Sequence, residues 1–124
     1  MATDAERWDA QLEERGSPAP LLQSWAWGEV QARAGWTIER VHLTSEAIAS
    51  IQVRTVGPLR EGYVPRGPVP ASEEALDHLI GWARHAKLAR LVVEPEAPST
   101  LREVLKERGV ALEDSKSGVR WRRS

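Results

Sequence analysis

Arg66 sits in the segment Glu61-Gly62-Tyr63-Val64-Pro65-Arg66-Gly67-Pro68-Val69-Pro70, where three prolines and two glycines crowd around it. Its guanidinium is always charged and presents a fork of donors suited to phosphate or carboxylate. Prolines fix φ and remove amide donors, so the segment can be a strand only at its start, near Tyr63 and Val64. Thereafter it is expected to be a rigid extended loop, of the kind that carries function at strand ends. The alternative for Arg66 is an ion pair within its own domain. Tyr63 offers either a stacking surface or a core ring with a wet hydroxyl.

The second chemically suggestive stretch runs from Gln23 to Trp36 and holds three of the six tryptophans, Trp25, Trp27 and Trp36. Ser24 is a good N-cap and Gly35 a good left-handed terminator, with Trp36 expected to fold back on Val30. Trp27, Val30 and Ala34 fall on one helical face. These tryptophans are either core anchors or the wall of a cleft. Gly28 costs about 1 kcal/mol in a helix interior, which points to a packing or ligand reason for it.

Other chemistries find less support. His42, His78 and His85 are scattered. His78 and His85 stand roughly 10 Å apart along one helix, too far for one metal to join them directly. No Walker or Rossmann glycine loop and no serine elbow is present. Cysteine is absent, which excludes disulfides, thiol catalysis and thiolate metal sites. The net charge of −1 provides no global field toward nucleic acid or an anionic membrane. Arg120-Trp121-Arg122-Arg123 is a small basic, aromatic patch, to be weighed against a solvated tail. No apolar run approaches the roughly 20 residues of a membrane span. The polar N-terminus lacks a signal-peptide core, so a cytoplasmic location is expected.

The elements that must position these residues follow in order. Asp4 to Arg15 reads as a helix, with Trp8 and Leu12 at i, i+4. Prolines 18 and 20 break it ahead of the tryptophan helix. Trp36–Leu43 and Ala47–Val56 read as a hairpin. In the second strand Ala49, Ile51 and Val53 face one side, and Ser50, Gln52 and Arg54 the other, as in a half-buried antiparallel strand. Ser72 caps a helix to about Lys87, and Leu88–Glu94 reads as a strand covered on both faces, so that a βαβ crossover is expected. Ser99 to Arg108 reads as another helix, and Val110 to Leu112 as the beginning of a strand. The fold class is α/β, a mixed sheet with helices on its faces. Residues 1–113 form the expected domain and 114–124 a loose C-terminal tail.

Two stretches in this order, Leu22-Gln23-Ser24-Trp25-Ala26-Trp27-Gly28-Glu29-Val30 with Gly35-Trp36, then Tyr63-Val64-Pro65-Arg66-Gly67-Pro68-Val69, resemble the N-terminal part of the FemABX family. These are peptidoglycan interpeptide-bridge aminoacyltransferases, similar to lipid II glycyltransferases. The resemblance runs from about Leu21 to Leu112. It implies part of a GNAT-like (acyl-CoA N-acyltransferase-like) domain and transfer of an amino acid from aminoacyl-tRNA to the stem peptide of a peptidoglycan precursor, lipid II or a UDP-muropeptide. It implies no cofactor, neither acetyl-CoA nor metal, no DNA partner and no membrane insertion, and it leaves room for a homo-oligomer. Carried over residue by residue, it makes Trp27, Gln31, Tyr63 and Arg66 the substrate-binding candidates and assigns no catalytic residue. Where Gln31 stands, family members commonly have a lysine, so Gln31 offers hydrogen bonds but no charge. Members are also longer, which implies that this chain is a fragment or truncated reading frame, inactive by itself. The alternatives are a non-catalytic precursor-binding module and an acyl-CoA N-acetyltransferase, the latter expected to carry a glycine-rich pyrophosphate loop that this chain lacks.

Overall fold

The structure, a computed structural model, describes residues 1–16, 18–95 and, for the backbone, 119–122. Its elements are α1 (Asp4–Arg15), a 3-10 turn (Leu21–Gln23), α2 (Trp25–Arg33), β1 (Thr37–His42), β2 (Ile48–Val56), β3 (Leu59–Pro65), α3 (Glu73–His85), β4 (Arg90–Glu94) and β5 (Val119–Arg122). The strands form one sheet in the order β1-β2-β3-β4-β5. β3 and β4 run parallel and the other neighbours antiparallel. The βαβ crossover through α3 is therefore present. Among the described residues no helix is long and apolar enough to cross a membrane.

The helices start where side-chain oxygens can accept orphan amides. Thr3 caps α1 through Glu6 N, Ser24 caps α2 through Trp27 N, and Ser72 caps α3 through Ala75 N. α2 ends in a Schellman arrangement. Gly35 turns to φ +104°, while its own amide and that of Trp36 donate to the carbonyls of Ala32 and Gln31. Trp36 does not return to Val30, which is 53% exposed. Its ring stacks instead under the Arg54 guanidinium, 4.6 Å from the centroid.

The sheet divides the molecule into two layers. On one face Ala49, Ile51, Val53, Val64, Leu91 and Val93 pack against the buried stripe of α3, which includes Ala75, Leu76, Leu79, Ile80 and Ala83. On the other face Ile48 and Val69 pack with Trp8 and Leu12 of α1. Both faces of β2 are thus covered from Ile48 to Val53. The polar side expected to meet water is closed, and Ser50 and Gln52 are 3% and 2% exposed.

Three other expectations differ. β3 runs from Leu59 to Pro65 and so is longer than its prolines suggested, because all three prolines fall at or after its last residue. The Trp27–Val30–Ala34 stripe is not the inward face of α2, since Val30 and Ala34 are exposed and Gly28 is buried. Part of the expected loose tail is a strand. Val119-Arg120-Trp121-Arg122 alternates β-formers with arginine over only four residues, too few to signal, yet it pairs with β4 from Val93↔Val119 to Arg90↔Arg122. The helix expected at Ser99–Arg108 and the strand at Val110–Leu112 lie outside the described residues.

One side chain determines the shape of β3 at its end. The β2–β3 ladder stops at Gln52↔Tyr63 and resumes as a single bridge at Ile48↔Val69. Between these pairs β2 has three residues (49–51) and the opposing segment five (64–68), so the latter must bulge. The Gln23 carboxamide fills the opening. Its Nε2 donates to the carbonyls of Ser50 (3.1 Å) and Pro65 (2.7 Å), and its Oε1 accepts from Ser50 N (2.7 Å). The backbone carbonyl of Gln23 in turn accepts from Trp8 Nε1 at 2.8 Å. Gln23 is fully buried.

Gln23→Leu would keep the bulk while orphaning the Ser50 amide and the Ser50 and Pro65 carbonyls. Each buried orphan costs about 1–3 kcal/mol, so we expect a loss of at least about 3 kcal/mol, read from the urea unfolding midpoint.

Candidate functional site

The bulge carries Arg66 at its outer turn. Arg66 is exposed and adopts φ +56°, a left-handed conformation that only glycine adopts without cost. Gly67 follows because the chain wraps tightly around Gln23. A Cβ on Gly67 would lie 2.8 Å from Gln23 Cδ and 2.9 Å from Val64 Cγ1. Arg66 is thus held by backbone packing rather than by proline stiffness alone.

Behind Arg66 stands Tyr63, half-buried on the face that carries α1 and α2. Its phenol is pushed up to about 12, first by burial, then by the negative charge of Glu94 and by a hydrogen bond to it, with Arg66 pulling the other way. Glu94 ends β4 and lies opposite Pro65 in the parallel register. Tyr63, Arg66 and Glu94 therefore gather at the carboxyl ends of two adjacent parallel strands, the usual place for ligands in open α/β sheets. The sequence reading missed Glu94. Its only signal was an acidic residue ending an apolar run just before Pro95.

α2 reaches the same face through Gly28. A Cβ there would lie 2.6 Å from Arg40 Nη2 and 3.2 Å from Ile38 Cγ2, which gives the packing reason that this glycine calls for. Arg40 is clamped. Its guanidinium lies 3.5 Å from the centroid of the Trp25 ring, and Nη2 donates to the Trp25 carbonyl (3.2 Å) and Glu29 Oε1 (3.4 Å). Burial holds this guanidinium below its ordinary value, against Glu29 and Asp9. Asp9 Oδ1 accepts from Trp25 N at 2.9 Å. Trp25 is thus an anchor. Trp27 and Gln31 are half-buried, and the Nε1 of Trp27 has no partner among the described residues.

Tyr63 and Arg66 therefore adjoin one another, while Trp27 and Gln31 belong to a helix whose lead-in residue, Gln23, braces the Arg66 bulge. On the opposite layer an open groove of about 540 Å³ is lined by His42, His78 and His85 together with Asp77 and Trp82. Although His42 borders the groove, its ring turns to the α1 layer, where Nε2 meets Gln11 Oε1 at 2.7 Å and the ring faces Trp8 edge-on, so the three histidines do not converge. Among the described residues no group of metal-ligating side chains could hold an ion.

No family model matches the sequence, and no curated protein does. Among solved structures, a crystal structure of FemX superposes with a TM-score of 0.70 at 24% identity, over 89% of this chain and 31% of the FemX chain. The likeness shows the fold, a partial GNAT-like α/β sheet. This chain spans about a third of the length of FemX.

Arg66→Gly is expected to raise stability by up to about 1 kcal/mol in denaturant unfolding, because the left-handed turn then carries no Cβ. Tyr63 is the only tyrosine, so phenolate absorbance reads it directly. It should titrate near 12 in the folded protein, against 10.0 when unperturbed. The folded state then holds this proton more tightly than the unfolded chain. The corresponding stability is present below pH 10 and falls as pH rises toward 12, and Tyr63→Phe should remove that slope.

Proposed function

We propose that this chain carries the acceptor-binding face of an aminoacyltransferase of the FemABX type, one that moves an amino acid from aminoacyl-tRNA to an amine on the stem peptide of a peptidoglycan precursor. The observation that carries the reading is the Arg66 bulge. A charged fork is held in a strained conformation beside Tyr63 and Glu94, on the sheet face of a FemX-like fold where the tryptophan helix also lies. Strain of this kind clusters at ligand clamps.

In this reading the guanidinium of Arg66 pairs with the diphosphate or a carboxylate of the precursor, where two parallel N–H···O bonds give orientation as well as affinity. Tyr63, neutral at physiological pH, gives its hydroxyl hydrogen to Glu94, so its oxygen is left to accept from the ligand and its ring edge is offered alongside. Glu94 keeps that hydroxyl oriented and leaves Arg66 to the ligand. Trp27 and Gln31 of α2 then meet the precursor from the same sheet face, Gln31 with a neutral amide. In the transfer, the acceptor amine attacks the aminoacyl ester carbonyl. A C–N bond forms, the C–O bond to the tRNA breaks, and the proton lost by the amine ends on the released hydroxyl. The ester is already activated, so the reaction needs no coenzyme A. The reading places this work in the cytoplasm.

A second reading is a module that binds the precursor without transferring anything. Its support is that the cluster of Arg66, Tyr63 and Glu94 is built to hold a ligand. Transfer of a labelled amino acid from tRNA to a muropeptide separates the two.

Calorimetric titration with a UDP-linked muropeptide tests what they share. Arg66→Ala should weaken binding at least tenfold, about 1.4 kcal/mol, with an unchanged melting profile below pH 9. Equal affinities would remove Arg66 from the site.

A further inference from the structure

Most buried polar atoms in this fold are accounted for, and the exceptions are of two kinds. Arg15, Arg40 and Arg90 each leave a buried Nε unpaired, but their other nitrogens reach partners. Gln52 is different. It is 2% exposed, and neither its Nε2 nor its Oε1 meets a donor or acceptor among the described residues. The indole Nε1 of Trp27 is likewise buried and unpaired. A carboxamide left without partners in a dry interior is costly, and natural folds seldom keep one without use. Gln23, whose partner Ser50 precedes Gln52 by two residues on the same face of β2, shows the contrast, since its carboxamide is bonded on both sides.

The register places Gln52 in a row across the sheet, between Ile38 of β1 and Tyr63 of β3. Ile38 lies beneath Gly28, the neighbour of Trp27 on α2. Tyr63 leads on to Glu94 and Arg66. The two unpaired groups thus flank the strip that joins the tryptophan helix to the charged cluster. Trp27 and Tyr63 are each half-buried, and Gln52 is buried in the row between Ile38 and Tyr63.

We propose that the Gln52 carboxamide, with the Trp27 indole N–H, forms a subsite for a neutral peptide amide next to the charged group taken by Arg66. A carboxamide presents an acceptor and a donor side by side, and a peptide group offers the complementary pair. The indole adds a second donor over an apolar ring. A carboxylate, phosphate or ammonium suits the position less, because the Gln52 carboxamide carries no charge to repay the desolvation of an ion. The subsite rests on the acceptor reading for the identity of the peptide, but not for its chemistry.

The variant Gln52→Met keeps length and bulk and removes both polar atoms. Binding is measured by calorimetry with three probes: a UDP-linked muropeptide, the same UDP-sugar without peptide, and N-acetyl-alanyl-alaninamide. The variant is expected to melt at or above the wild-type temperature. It should lose at least about tenfold in affinity for both peptide-bearing probes, as expected for two hydrogen bonds. Affinity for the peptide-free sugar should not change. Unchanged affinity for the peptide-bearing probes overturns the subsite, as does a lower melting temperature with wild-type affinity, which would mark Gln52 as paired with a buried water. If Gln52→Met does not fold, Trp27→Phe carries the test, and undiminished affinity for the blocked dipeptide overturns the proposal. Gln52-dependent binding of the blocked dipeptide without muropeptide binding would leave the subsite standing and remove the acceptor reading. Failure of the wild type to bind any probe removes both.

Discussion

The carboxamide of Gln23 substitutes for a piece of β-strand. Where β2 and β3 part, Ser50 would have an unpaired amide and carbonyl on its inner side, and Pro65 an unpaired carbonyl; Gln23 meets all three from within the core. A side chain serves here better than a backbone segment, because it can enter between two diverging strands without bringing a further chain of donors and acceptors with it. Much else follows from this contact. The loop must swing wide of Gln23, so its turn residue takes a left-handed conformation and its neighbour must be glycine. Trp8 hydrogen-bonds the carbonyl of Gln23 and thereby ties α1 to the same point.

How much of this could be read in advance depended on the range of the interaction. α1 runs from Asp4 to Arg15 as expected, since Trp8 and Leu12 declare a helix face within one turn. The caps at Ser24 and Ser72 and the left-handed Gly35 are equally local. Gln23 was unreadable because its partners lie 27 and 42 positions away. Gln52 was misread for a related reason. Period-two alternation shows which residues share a face but not what covers that face, and here two helices cover both. The tryptophan helix misled in another way. Bulky residues drew attention to Trp27 and Val30, while the close approach to the sheet is made by Gly28, whose virtue is having no side chain.

Of the candidate site, Tyr63 and Arg66 could be picked out because prolines and glycines made their segment conspicuous. That Glu94 would join them needed the parallel pairing of β3 with β4, a long-range fact. The same pairing explains why Tyr63 is the group with the strongly raised phenol. A carboxylate at the end of one strand meets a half-buried ring on the next, and the exposed arginine can offset only part of the effect.

The single parallel pair also assigns separate duties to the two layers. A parallel connection requires a crossover, and α3 supplies it on the face opposite Tyr63. The layer that buries most of the apolar core is therefore insulated by the thickness of a sheet from the layer that carries the strained arginine. Val64 is an exception, because it packs in the α3 layer while its Cγ1 stands against Gly67 of the bulge. Of the residues bordering the groove beside α3, His42 also reaches the other layer, where its ring meets Gln11 and Trp8 of α1 and so stands one contact away from Gln23.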